Sequence, residues 1–121
     1  MATITENMFH ASYEIGKRWH GHSLSYKESI RILRDQYRMN PSSADDYLYA
    51  YANMADGREL KRIISQAAIC YYLTKILEDK GTAGLKKALS AIEQTIDYRE
   101  SAGNSSSVGL RRIYNSFLLK I

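Results

Sequence analysis

The sequence predicts an all-α fold, a single compact bundle of five to six helices, and three observations lead there. Apolar residues recur at spacings of three and four, as in Leu85, Leu89, Ile92 and Ile96, which places them on one side of a helix. Proline occurs once, at Pro41, so long stretches lack the residue that most reliably breaks helices. Capping residues such as Ser25 and Ser42 stand ahead of the periodic runs, and Gly57 and Gly81 stand behind them. At 121 residues and 45% hydrophobic content, the chain can bury a core without staples, and residues 1–121 read as one helical domain with no internal repeat.

The first helix is expected over roughly Thr5 to Trp19, with Met8, Ser12, Ile15 and Trp19 on its inner side and Phe9 and Tyr13 flanking. HGHSLS is a loop. Ser25 can cap a second helix reaching about Tyr37, whose inner face would carry Tyr26, Ile30, Leu33 and Tyr37; Lys27, Arg31, Arg34 and Arg38 make its other side basic. RMNPSS is a tight connection to the third helix.

That third helix contains the one ambiguous pattern. Tyr47, Tyr49 and Tyr51 alternate as a strand would, yet Ser42 followed by Asp45, or Ser43 followed by Asp46, reads as a helix start with acids near the positive end of the dipole. Ala44, Leu48, Ala50, Ala52 and Met54 favour helix over strand. At ~100° per residue, Tyr47 and Tyr51 then face the core while Tyr49 faces outward beside Asp46 and Asn53.

Gly57 ends this helix. A fourth is expected over about Arg58 to Asp79, polar at GRELKR, then apolar nearly all round from Ala67 to Leu73, which would make it the central element with Cys70 buried. Lys80-Gly81 stops it, and a fifth closes near Arg99. SAGNSSS (101–107) is a flexible loop. A short last helix uses Val108, Leu110, Ile113, Tyr114, Phe117 and Leu118.

Composition excludes several function classes. A single cysteine permits neither an internal disulfide nor a cysteine zinc site, and fits a reducing, cytoplasmic setting. No window approaches the ~20 apolar residues of a membrane span, and the polar N-terminal residues do not resemble a secretory signal. His20 and His22 in WHGH lack a third ligand nearby, so no metal and no cofactor is expected. Glu93, Asp97 and Glu100 provide carboxylates at helical spacing but no nucleophile or pocket signature accompanies them, and no phosphate loop or nucleophile elbow occurs. No catalytic residue is expected.

What remains is binding. Net charge is +4, and ten tyrosines far outnumber two phenylalanines and one tryptophan. The second and third helices with their short connection read as a helix-turn-helix, in which the second helix of the pair enters the major groove. Asn40, Ser42, Ser43, Asp46, Tyr49 and Asn53 would then face the groove, with Arg31, Arg34, Arg38, Arg58, Lys61 and Arg62 near phosphates. GRELKR would bring Arg58, Lys61 and Arg62 onto one helical turn. A plain helical hairpin in a bundle explains the same pattern.

MNPSSADDYLYAYANMADG, LKRIISQAAICYYLTKILEDKG, LKKALSAIEQTIDY and LRRIYNSFL, in that order, resemble the small helical domain found ahead of HNH nuclease modules in restriction-endonuclease-like proteins, some of them described as 5-methylcytosine-specific. The resemblance covers about two-thirds of the chain, mostly at core and cap positions. It implies an accessory module of prokaryotic or phage type that brings a restriction or defence nuclease to double-stranded DNA. The chain lacks that family's histidine-asparagine-histidine metal site, so cleavage is not expected of it. The alternative is a protein-interaction module, or a small inhibitor, that docks on a nuclease or other defence component through a tyrosine-rich surface.

Overall fold

The computed structural model describes residues 3–103 and 107–121, and no strand occurs among them. The fold is all-α: α1 (Glu6–His20), α2 (Tyr26–Tyr37), α3 (Pro41–Asp56), α4 (Gln66–Ser101) and α5 (Val108–Leu118). Of the flexible loop expected over 101–107, residues 104–106 lie outside the described residues. No helix among the described residues is long and apolar enough to cross a membrane. The chain forms two compact units, Met1–Ala52 and Asn53–Ile121, and the division falls inside α3.

In the first unit, α1 starts where Thr5 Oγ1 accepts from the Met8 N–H at 3.2 Å. Its buried residues are Phe9, Ala11, Ser12, Tyr13, Ile15 and Gly16; Ser12 and Ile15 lie inside as expected, Phe9 and Tyr13, expected at the flanks, are buried with them, and Met8 and Trp19, expected inside, are half-buried. Gly16 explains the shift. A Cβ at that position would lie 3.1 Å from the Tyr51 Cβ, so the missing side chain lets α3 approach closely. Tyr13 then meets Tyr51 edge-on, with ring centroids 5.2 Å apart, a favoured aromatic geometry.

Ser25 caps α2 as expected, accepting from the Glu28 N–H at 3.1 Å. Leu33 is buried and Ile30 half-buried, but Tyr26 and Tyr37, expected in the core, are each 38% exposed. They occupy the helix's first and last positions, and the small Ser29 fills the buried turn between them, its hydroxyl donating to Ser25 C=O at 2.7 Å. In α3, Tyr47 and Tyr51 are 5% and 1% exposed while Tyr49 is 46% exposed, the separation that helical geometry predicts.

In the second unit, Gly57 takes φ 71° and ends α3 as expected. The next helix does not begin at Arg58. It begins at Gln66, capped by Ser65 Oγ, which accepts from the Ala68 N–H at 3.2 Å. The intervening backbone bonds to side chains of α4 instead of to itself: the Leu60 N–H donates to Thr95 Oγ1 at 2.9 Å, and Gln94 Nε2 donates to Gly57 C=O at 2.9 Å. Leu60 and Ile64 are buried, and that anchorage outweighs the helix propensity of GRELKR.

The chain leaves helical geometry at Gly81 (φ 69°, ψ −166°), a region essentially reserved for glycine. Ahead of it α4 buries Ala68, Ile69, Tyr72, Leu73 and Ile76, whereas Ala67 is exposed and Cys70 and Tyr71 are half-buried. The expectation of an innermost segment with a buried Cys70 is therefore corrected. The apolar run exceeds the covered stripe, and Cys70 sits on its flank, where partial burial still pushes the thiol pKa up. Beyond Gly81, Leu85, Leu89, Ile92 and Ile96 are all buried as expected. The helix α5 packs on α4 through Leu110, Ile113 and Phe117, while Val108 and Leu118, expected inside, are exposed.

Candidate nucleic-acid interface

The joint between α2 and α3 is three residues long, and each has a distinct task. Arg38 takes the left-handed conformation (φ 60°, ψ 29°), and its N–H closes α2 on Arg34 C=O at 3.1 Å. Met39 points inward and is buried. Asn40 caps α3, its Oδ1 accepting from the Ser42 N–H at 2.8 Å, with Pro41 in the first helical position that suits proline. The caps expected at Ser42 or Ser43 are thus displaced. A cap two residues earlier leaves both hydroxyls on the first turn, Ser42 exposed and Ser43 half-buried.

Of the remaining residues expected in the groove, Tyr49 is exposed and Asp46 half-buried in the first unit, while Asn53 is half-buried in the second. Arg34 and Arg38 are exposed in the first unit; Arg58, Lys61 and Arg62 are exposed in the second. The last three do not share a helical turn, because the segment before Ser65 is irregular. The Arg58 N–H donates to Asn53 C=O at 2.8 Å, fixing the start of that segment.

The basic side of α2 is partly neutralised along its own length. Arg31 forms a forked pair with Glu28, Nε to Oε1 at 2.9 Å, and Arg34 Nε meets Asp35 Oδ1 at 2.8 Å. Each pair holds its carboxyl below the usual carboxylate range, chiefly through the hydrogen bond from the arginine. Both pairs are solvent-exposed, so a phosphate can replace either acid at little cost.

One feature of the surface joins three helices. Trp19 from α1, Tyr26 from α2 and Tyr49 from α3 form a ring cluster with centroid separations of 5.5 Å (Trp19–Tyr26), 5.0 Å (Trp19–Tyr49) and 6.1 Å (Tyr26–Tyr49). The Tyr26 hydroxyl donates to the Asp45 carboxylate. Burial, that hydrogen bond and the adjacent negative charge together push the Tyr26 pKa up to about 12. Beside the cluster lies an open cleft of about 450 Å³ lined by Trp19, His20, His22, Leu24, Ser25, Tyr26 and Ala52. The sequence carries a signal for this cluster, since two large aromatic residues, Trp19 and Tyr26, bracket the loop, but helical spacing alone places both on inner faces.

Tyr26 has a measurable consequence. Its folded-state pKa lies above the unfolded value, so its contribution to stability is complete below about pH 10 and declines as pH rises toward 12. Tyr26→Phe should lose less stability than the parent between those pH values in urea denaturation. Equal alkaline losses in both proteins would show that the Tyr26–Asp45 bond contributes nothing.

No family model, curated protein or solved structure matches this chain.

Proposed function

We propose that this protein is a non-catalytic DNA-binding module in which α2 and α3 act as a helix-turn-helix-like pair on double-stranded DNA. The observation that carries the reading is the three-residue joint with buried Met39 and Asn40-capped α3, which keeps Ala44, Tyr47, Leu48 and Tyr51 inside while leaving Ser42, Ser43, Asp46 and Tyr49 toward solvent. The charge of +4 and the exposed Arg38, Arg58, Lys61 and Arg62 supply the electrostatic part. Association with a restriction or defence nuclease rests on the resemblance of the MNPSSADDYLYAYANMADG stretch and those that follow it.

Duplex binding measured across a salt series tests the proposal. Affinity should fall steeply with salt, and Lys61→Ala with Arg62→Ala should flatten the logarithmic slope by about one unit per lost phosphate contact. Tyr49→Ala should change the preference among sequences, because base-edge contacts carry discrimination. A double alanine variant that binds every duplex as the parent does defeats the reading.

A second reading has its own observation. Tyr26, Tyr37 and Tyr49 are all substantially exposed, and Arg31 and Arg34 already have acidic partners, as on a surface that meets protein. In that case the module docks on a nuclease or other defence component, as an accessory or an inhibitor, and binding responds weakly to salt.

A further inference from the structure

The cleft between the end of α1 and the start of α2 is lined by aromatic rings and two imidazoles. The Trp19, Tyr26 and Tyr49 rings account for one another as a small satellite core. His22 is exposed at the rim. Its φ of 66° closes α1 in a Schellman motif, where the His22 N–H donates to Trp19 C=O at 3.0 Å and the Ser23 N–H to Arg18 C=O at 2.9 Å, a position glycine usually takes. Glycine at position 22 would relieve that conformation.

The lining chemistry narrows the occupant. The cleft's volume of about 450 Å³ lies within the range of small-molecule sites, ~300–1,000 Å³. Indole and phenol surfaces from Trp19 and Tyr26 form its apolar walls, and the imidazoles of His20 and His22 bring groups able to donate and accept hydrogen bonds. A metal ion is a poor fit, because no cluster of three or more histidine, cysteine or acidic side chains occurs among the described residues. A cation enclosed by aromatic rings fits no better: Trp19, Tyr26 and Tyr49 meet edge-on or tilted, at 5.0–6.1 Å between centroids, and so pack on one another instead of caging an ion. A planar ring with nitrogen and carbonyl groups on its edge satisfies both the walls and the imidazoles.

We propose that this cleft binds a single nucleobase, stacked against Trp19 with its polar edge toward His20 and His22. The site adjoins the groove-facing Tyr49, whose ring meets Trp19 and Tyr26, but it does not rest on the DNA-binding reading. The base comes either from a free nucleoside or from an unpaired position in a strand.

Trp19 is the only tryptophan, so its indole N–H resonance reports on this cleft and on the Tyr49 ring beside it. Titrating the whole protein with adenosine, guanosine, cytidine and thymidine should shift that resonance saturably, with half-saturation on the order of 1 mM or below. His22→Gly should weaken binding about fivefold, the worth of one ordinary hydrogen bond, while melting no lower than the parent. His22→Asn, which also tolerates the left-handed region, should weaken it comparably. A single-stranded oligonucleotide that produces the same shift at least tenfold more tightly identifies a strand as the source; equal affinities identify the free nucleoside. The proposal is overturned if no nucleoside gives a saturable shift, if phenylalaninamide gives the same shift as tightly, or if both His22 variants bind as the parent does.

Discussion

Tyr51→Ala should destabilise the protein by about 3–5 kcal/mol, the range for removing a buried aromatic ring. Tyr51 is 1% exposed, packs edge-on against the fully buried Tyr13, and has its Cβ at the closest approach to Gly16. The close backbone approach prevents easy collapse of the vacated space, which places the cost toward the upper end. Tyr49→Ala, two residues earlier, should cost about 1 kcal/mol or less, because Tyr49 is 46% exposed and loses only its edge contacts with Trp19 and Tyr26. Urea denaturation of the two variants checks the difference directly. Similar losses would mean that the rings share one environment, and the helical assignment of residues 41–56 would fail with them. Because folded domains are stable by only ~5–15 kcal/mol, the Tyr51 variant forfeits a large share of the total.

That contrast shows what was legible in the sequence. Helical spacing separates Tyr49 from its neighbours wherever the helix begins, so its exposure does not depend on the cap. The cap is not legible from side-chain type alone, because Ser42, Ser43 and Asn40 all offer suitable oxygens; Pro41 decides among them, since it fits the first helical position best when Asn40 precedes the helix. Gly57 and Gly81 were readable as stops because positive φ is a local property. The start of α4 was not readable locally. GRELKR has ordinary helix propensity, and what unwinds it is a pair of long-range hydrogen bonds, Leu60 N–H to Thr95 Oγ1 and Gln94 Nε2 to Gly57 C=O, each spanning more than thirty residues of sequence. The half-burial of Cys70 is hidden for a related reason: an apolar run tells how much surface can be covered, and only packing tells which stripe is covered. Among the binding candidates, exposure of Arg34, Arg38, Lys61 and Arg62 followed from their charge, while the acidic partners of Arg31 and Arg34 required side-chain geometry.

Thr95→Val should cost about 1–3 kcal/mol although it conserves shape. The Thr95 hydroxyl is buried, donates to Ala91 C=O at 2.7 Å and accepts from the Leu60 N–H at 2.9 Å. Valine leaves that buried amide without a partner, and Leu60 is itself inside, so water does not replace the lost acceptor without opening the segment. Thr95→Ser, which keeps the hydroxyl and loses one methyl group, should cost only about 0.8 kcal/mol. Gln94→Ala removes the exposed companion bond to Gly57 and should cost about 1 kcal/mol or less. Hydrogen exchange locates the effect: the Leu60 amide should lose protection in the valine variant and keep it in the serine variant. The consequence reaches the proposed function, because Arg58, Lys61 and Arg62 lie on the segment that Thr95 and Gln94 hold. If those residues contact phosphates, Thr95→Val should weaken duplex binding without removing a charge, since the ordering that the native bonds provide must then be supplied on binding. Unchanged DNA affinity alongside lost Leu60 protection would separate the segment from the interface and leave α2 and α3 to account for binding alone.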